Sequence, residues 1–121
     1  MEFIRKNGTA NLAEADLNTT NIYLQDLVEL FSAHMIPQFN NLNELLMRSC
    51  KLKSFDYNMS MTLITELYLY DNELTSITGV ASCSHLKVLG IMNNKLEASC
   101  LLCLEGLVEL RVLWCFNNPM Q

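Results

Sequence analysis

Glycine is scarce: there are four in 121 residues, none of them clustered. A glycine-rich loop able to cradle phosphates is therefore missing. Only two histidines occur, His34 and His85, far apart in the chain. No Ser-His-Asp or Cys-His set can be assembled around either of them. Basic residues are few as well. Lys plus Arg number 8 against 13 Asp plus Glu, for a net charge of −5. That balance is a poor match for a nucleic-acid backbone. No apolar run reaches the ~18 residues of a membrane-spanning helix. The start, Met1 to Gly8, has no apolar signal core, which predicts a reducing compartment with the five cysteines as free thiols.

What is present is leucine and asparagine. By type there are 22 Leu and 13 Asn, in a chain that is 50% hydrophobic and 17% charged. The length fits one domain, and the composition supports a real core. Internal periodicity comes next, because it decides the architecture. Five segments align, starting at Leu12, Leu42, Ile64, Leu86 and Leu110. Each has apolar residues at its first, fourth, sixth and eleventh positions. The ninth is Thr20, Cys50, Asn72, Asn94 and Asn118 in turn. The starts are spaced by 30, 22, 22 and 24 residues.

This pattern resembles the leucine-rich repeat family, L-x-x-L-x-L-x-x-N/C-x-L, over Leu12 to Met120. In the middle copies Leu74, Ile77, Val80 and Cys83 also fall on apolar positions before Leu86. The 22-residue form is similar to the repeats of a regulatory subunit of protein phosphatase 1 and of an axonemal dynein light chain. The resemblance implies an α/β solenoid, a right-handed β/α superhelix of about five repeats with a short parallel sheet on its concave face. It also implies a non-catalytic module that binds another protein, and a cytoplasmic place, with nuclear or cytoskeletal variants. A phosphatase catalytic subunit or a motor component would be a fitting partner. A ribonucleoprotein scaffold, similar to the spliceosomal A-prime protein, is the alternative. Lys51, Lys53, Lys87, Lys95 and Arg111 are scattered rather than gathered into the basic edge it would need.

The residues alone lead to the same architecture. Leucines two apart share one face of a strand. One such strand cannot bury itself, whereas stacked copies form a common core. The ninth residue sits where the chain leaves the strand and backbone groups lose their partners. An Asn amide can both donate to and accept from such groups, so Thr20, Cys50, Asn72, Asn94 and Asn118 form the expected structural ladder. On the first return arm Leu24, Leu27, Val28, Phe31 and Met35 have helical spacing, with Pro37 as its stop. A helix is predicted there. A helical or 3₁₀ return is predicted over Leu101, Leu104, Leu107 and Leu110, and turns at Gly79 and Gly106.

The outward strand positions form the candidate binding surface. Acidic residues fall there at Glu14, Asp16, Glu44 and Glu66. Tyr68, Tyr70, Met92, Trp114 and Phe116 form an aromatic stripe, with Leu46 and Arg48 beside it. A contiguous apolar patch on a surface marks an interaction site, and aromatic residues dominate such sites. Residues 1–11 are expected to cap the first repeat, and 12–121 to form the repeat domain. Leu110, Leu113 and Cys115 are expected to lack a covering neighbour, so that a fragment, a covering partner or a homodimer through that end comes into view. Cys100 and Cys103 form a C-x-x-C with no second pair, so no zinc site or other cofactor is expected. Glu44 and Glu66 pair across strands but have no enclosing pocket for acid–base chemistry. Asn7, Asn18 and Asn58 begin N-x-S/T sequons, which read as chance without a secretory signal.

Overall fold

Leu45 and Met47, Leu67 and Leu69, and Leu89 and Ile91 are buried in pairs, while Leu46 and Tyr68 between them stay half-exposed. This alternation is the period-two signature of a strand with one face in a core. The computed structural model describes residues 1–120, and Gln121 lies outside them. It contains six strands: β1 (Glu2–Asn11), β2 (Asn21–Phe31), β3 (Glu44–Arg48), β4 (Glu66–Tyr68), β5 (Val88–Gly90) and β6 (Val112–Trp114). They form one parallel sheet in chain order, β1 to β6. Every connection returns across the far side of the core. The returns carry 3₁₀ turns at Leu12–Glu14, Ala33–Gln38, Thr78–Ser82 and Ala98–Leu104. The last of these holds Leu101 and Leu104 of the predicted return, whereas Leu107 and Leu110 lie beyond it.

Two expectations near the N-terminus are corrected. The segment around Leu24 is not a helix but the strand β2. Its apolar spacing looks helical because two strand alternations are joined by a slip. Ile22 and Leu24 are buried in alternation, Asp26 then takes a left-handed backbone (φ 55°), and Leu27 turns back into the core. Val28 and Phe31, which a helix would bury, are 67% and 46% exposed. Pro37 lies inside the 3₁₀ turn that follows rather than ending a helix.

The strand expected from Leu12 is likewise not formed. Leu12–Glu14 is a 3₁₀ turn, and Leu17 is exposed. The copy equivalent to Leu42 starts instead at Thr19, because Ile22 pairs with Leu45 and Leu24 with Met47. Residues 2–11, expected within a cap, form the outer strand β1, with Phe3 beside Ile22.

A row of shared carbonyls holds this register. Each of Met1, Thr20, Asn43, Thr65 and Lys87 accepts two N–H groups from the start of the next strand, at 2.7–3.3 Å. Thr20 therefore belongs to the leading edge of β2. The two ends of the sheet differ. On the β1 side Arg5 lies 4.4 Å over the Phe3 ring and pairs with Glu14 at 3.2 Å. On the β6 side Leu113 is 37% exposed. On the far side Gly79 is required: a Cβ there would collide with the Tyr57 backbone.

Candidate protein-binding face

The ninth-position residues are structural, and the geometry shows how. Asn72 donates from Nδ2 to the carbonyls of Met47 (2.7 Å) and Leu69 (2.9 Å), and its Oδ1 accepts from Cys50 and Leu52 N–H. Asn94 repeats this with Leu69, Ile91 and Leu74, and Asn118 with Ile91, Cys115 and Leu96. Cys50 takes the same slot with weaker sulfur contacts, 3.6 Å to the Leu24 carbonyl and 3.3 Å to that of Arg48. Burial pushes its thiol up to about 11. Thr20 is not a rung. Its hydroxyl bonds to Met1 and Asn21, and Leu27 sits opposite Cys50 one strand away by register.

The residue before each rung (Ser49, Asp71, Asn93, Asn117) and Asp26 before Leu27 adopt a left-handed backbone, with φ between 53° and 59°. Asn and Asp tolerate that conformation best. It creates a second, solvent-side ladder. Asn117 donates to Asn93 (2.7 Å), Asn93 to Asp71 (2.6 Å), and Arg48 to Asp71 (3.0 Å).

These two ladders hold the outer face of the sheet in three rows. The first reads Glu2, Asn21, Glu44, Glu66, Val88, Val112. The second reads Ile4, Tyr23, Leu46, Tyr68, Gly90, Trp114. The third reads Lys6, Gln25, Arg48, then Tyr70, Met92 and Phe116 as strand hydrogen bonds continue beyond the paired segments. Tyr68, Tyr70, Met92, Trp114 and Leu46 therefore come together, with Glu44, Val88 and Val112, around one open groove of about 540 Å³. Phe116 adjoins it. Trp114 and Phe116 are 51% and 58% exposed, whereas Met92 is nearly covered.

The charged residues divide. Glu44 and Glu66 lie directly opposite each other beside the groove. Glu44 accepts from the Tyr23 hydroxyl (2.7 Å) and from Asn21 (3.1 Å), and Glu66 accepts from the Tyr68 hydroxyl (2.7 Å). Burial, reinforced by these carboxylates, raises both tyrosine pKa values, so both hydroxyls stay protonated. Arg48 sits in the third row, paired with Asp71 and 5.5 Å from the centre of the Tyr70 ring. Glu14 and Asp16 do not join the face. Glu14 lies in the 3₁₀ turn with Arg5, and Asp16 accepts from the Asn18 N–H in a local turn. The residues that take their places are Asn21 and Tyr23, hidden in the sequence by the false start at Leu12. The signal that finds them is Thr19, Ile22 and Leu24, spaced as Leu42, Leu45 and Met47 are.

Among the described residues no three His, Cys, Asp or Glu converge as metal ligands, and no helix is long and apolar enough to cross a membrane. All five cysteines are free. Cys83 is buried and its thiol is pushed up to about 12 by desolvation.

Parallel strands stacked in chain order, short 3₁₀ returns and a buried Asn ladder define a leucine-rich repeat fold. Comparison with known structures agrees. The chain is similar to an internalin of Listeria monocytogenes, a leucine-rich repeat protein, with a TM-score of 0.53 and 21% identity over 84% of this chain. It spans 42% of the internalin chain. No family model and no curated protein matches the chain.

Proposed function

We propose that the protein is a non-catalytic binding module that holds a partner protein against the outer face of its sheet. The observation that carries this is Trp114. It is the only tryptophan in the chain, the core does not use it, and it stands half-exposed beside Tyr68, Tyr70, Met92 and Leu46. Full burial of one such side chain contributes about 1.5–3 kcal/mol. Three or four would sustain a micromolar complex after the costs of association. The fold supports this reading, since a sheet built from repeated short strands offers a broad surface rather than a closed pocket. A regulatory or scaffold role toward a phosphatase or a motor complex follows from the resemblance of the 22-residue repeats and rests on that alone.

The test is affinity purification with the intact chain as bait and Tyr68→Ala/Trp114→Ala as control. Partners held by the wild type and lost from the double variant, with unchanged circular dichroism, support the reading. Partners retained by the double variant overturn it.

A further inference from the structure

The middle row of the face has a gap. Tyr23, Leu46, Tyr68 and Trp114 carry large side chains, and Gly90, between the last two, carries none. Tyr68 and Trp114 thus flank a slot two strand spacings wide, about 9.6 Å at the backbone. Val88, Val112 and Met92 line the groove around it. Gly90 itself is buried, because Tyr68 and Met92 close over it: a Cβ placed there would sit 3.1 Å from Cδ1 of Tyr68 and 3.7 Å from Sδ of Met92, so these two side chains form the floor of the slot.

The rim of the slot is acidic and uncompensated. Glu66 is tied to the Tyr68 hydroxyl at 2.7 Å, and Glu44 stands opposite Glu66 on the next strand. Like charges in that relation repel. Among the described residues neither Glu44 nor Glu66 has a cationic partner, because the arginine of this face, Arg48, is committed to Asp71. The face already shows what an aromatic ring does with a cation, since that same arginine lies against Tyr70.

Resting on the outer-face reading above, we propose that the groove between Tyr68 and Trp114 receives one cationic side chain, Arg or Lys, from the partner protein. Its flat or extended stem lies between the Tyr68 and Trp114 rings, where ring faces attract a cation. Its charge reaches Glu66 and Glu44 and relieves their repulsion. A purely apolar insert would fill the same space but would strip water from two carboxylates and give them no partner.

Trp114 is the sole tryptophan, so its emission reports the slot directly. The full chain is titrated with three synthetic peptides that share one amphipathic leucine framework and differ only at a central Arg, norleucine or Glu. The Arg peptide is expected to shift Trp114 emission and saturate, with the norleucine peptide at least about tenfold weaker and the Glu peptide weaker still. Gly90→Val pushes Tyr68 and Met92 up into the slot, and Glu66→Gln removes the carboxylate tied to the Tyr68 hydroxyl. Each is expected to weaken the Arg peptide by at least about tenfold while the chain stays folded. Equal binding of the norleucine and Arg peptides, or unchanged Arg-peptide affinity in either variant, overturns the cationic slot. So does the absence of any shift with all three peptides. None of these outcomes touches the broader reading, which falls only if partners survive Tyr68→Ala/Trp114→Ala.

Discussion

The side-chain amide of Asn72 reaches the carbonyl of Met47, 25 positions earlier in the chain, at 2.7 Å. One side chain thereby joins the exit of β3 to the exit of β4, and its oxygen takes the N–H groups of Cys50 and Leu52. Removing it leaves several buried backbone groups without partners, each costing about 1–3 kcal/mol. Asn72→Ala is therefore expected to lower the unfolding free energy by about 3 kcal/mol, read from urea denaturation. A change below about 0.5 kcal/mol would mean the ladder does not hold the strands together.

Cys50 is the weak rung, with sulfur where its neighbours have an amide. Cys50→Asn is expected to be neutral or to stabilise by about 1 kcal/mol, because the amide can make stronger bonds to the Leu24 carbonyl than a thiol does. A large loss of stability would place Cys50 outside the ladder.

The identity of β2 is open to a direct check. Val28 points to solvent while Leu24 is fully buried. Val28→Lys should change stability by no more than about 0.5 kcal/mol, and Leu24→Ala should cost about 2–5 kcal/mol. A helix along this segment would put both side chains on its buried face and make both substitutions costly. Leu67→Ala and Leu89→Ala, in fully buried positions of β4 and β5, should also cost about 2–5 kcal/mol.

Alkali should unfold the protein through its buried thiols. An unfolded cysteine ionises near 9.0, whereas burial pushes Cys83 to about 12 and Cys50 to about 11. In that window the unfolded chain has released protons that the folded chain still holds, so stability falls as pH rises above about 9. Below that pH both states keep the proton and the contribution is complete. The urea midpoint should decline more steeply above pH 9 in the wild type than in Cys83→Ala. Parallel slopes would contradict the shift at Cys83.

The parts of the fold that could be read from the chain are those where one periodicity acts alone. Leu67, Leu69 and Asn72, and Leu89, Ile91 and Asn94, repeat at 22 residues with nothing competing, and their strands, ladder and outward residues stand where the spacing puts them. The N-terminal third obscured its own pattern. A left-handed residue at Asp26 breaks the alternation of β2 into two pieces whose sum imitates a helix. Leu12 then offered a start with the right residue types, and Glu14 and Asp16 were carried onto a face they do not share. The groove was legible as a set of outward positions, Tyr68, Tyr70, Met92 and Trp114, because the register fixes direction. Its depth was not, because its floor depends on how Tyr68 and Met92 close over Gly90.

The central claim is that Tyr68 and Trp114 on the outer face of the sheet hold a partner protein. Calorimetric titration of a captured partner into wild-type protein and into Tyr68→Ala/Trp114→Ala tests it most directly. Loss of two buried aromatic contacts predicts at least about a 100-fold weaker complex with the fold unchanged. Equal affinity for both proteins would contradict it.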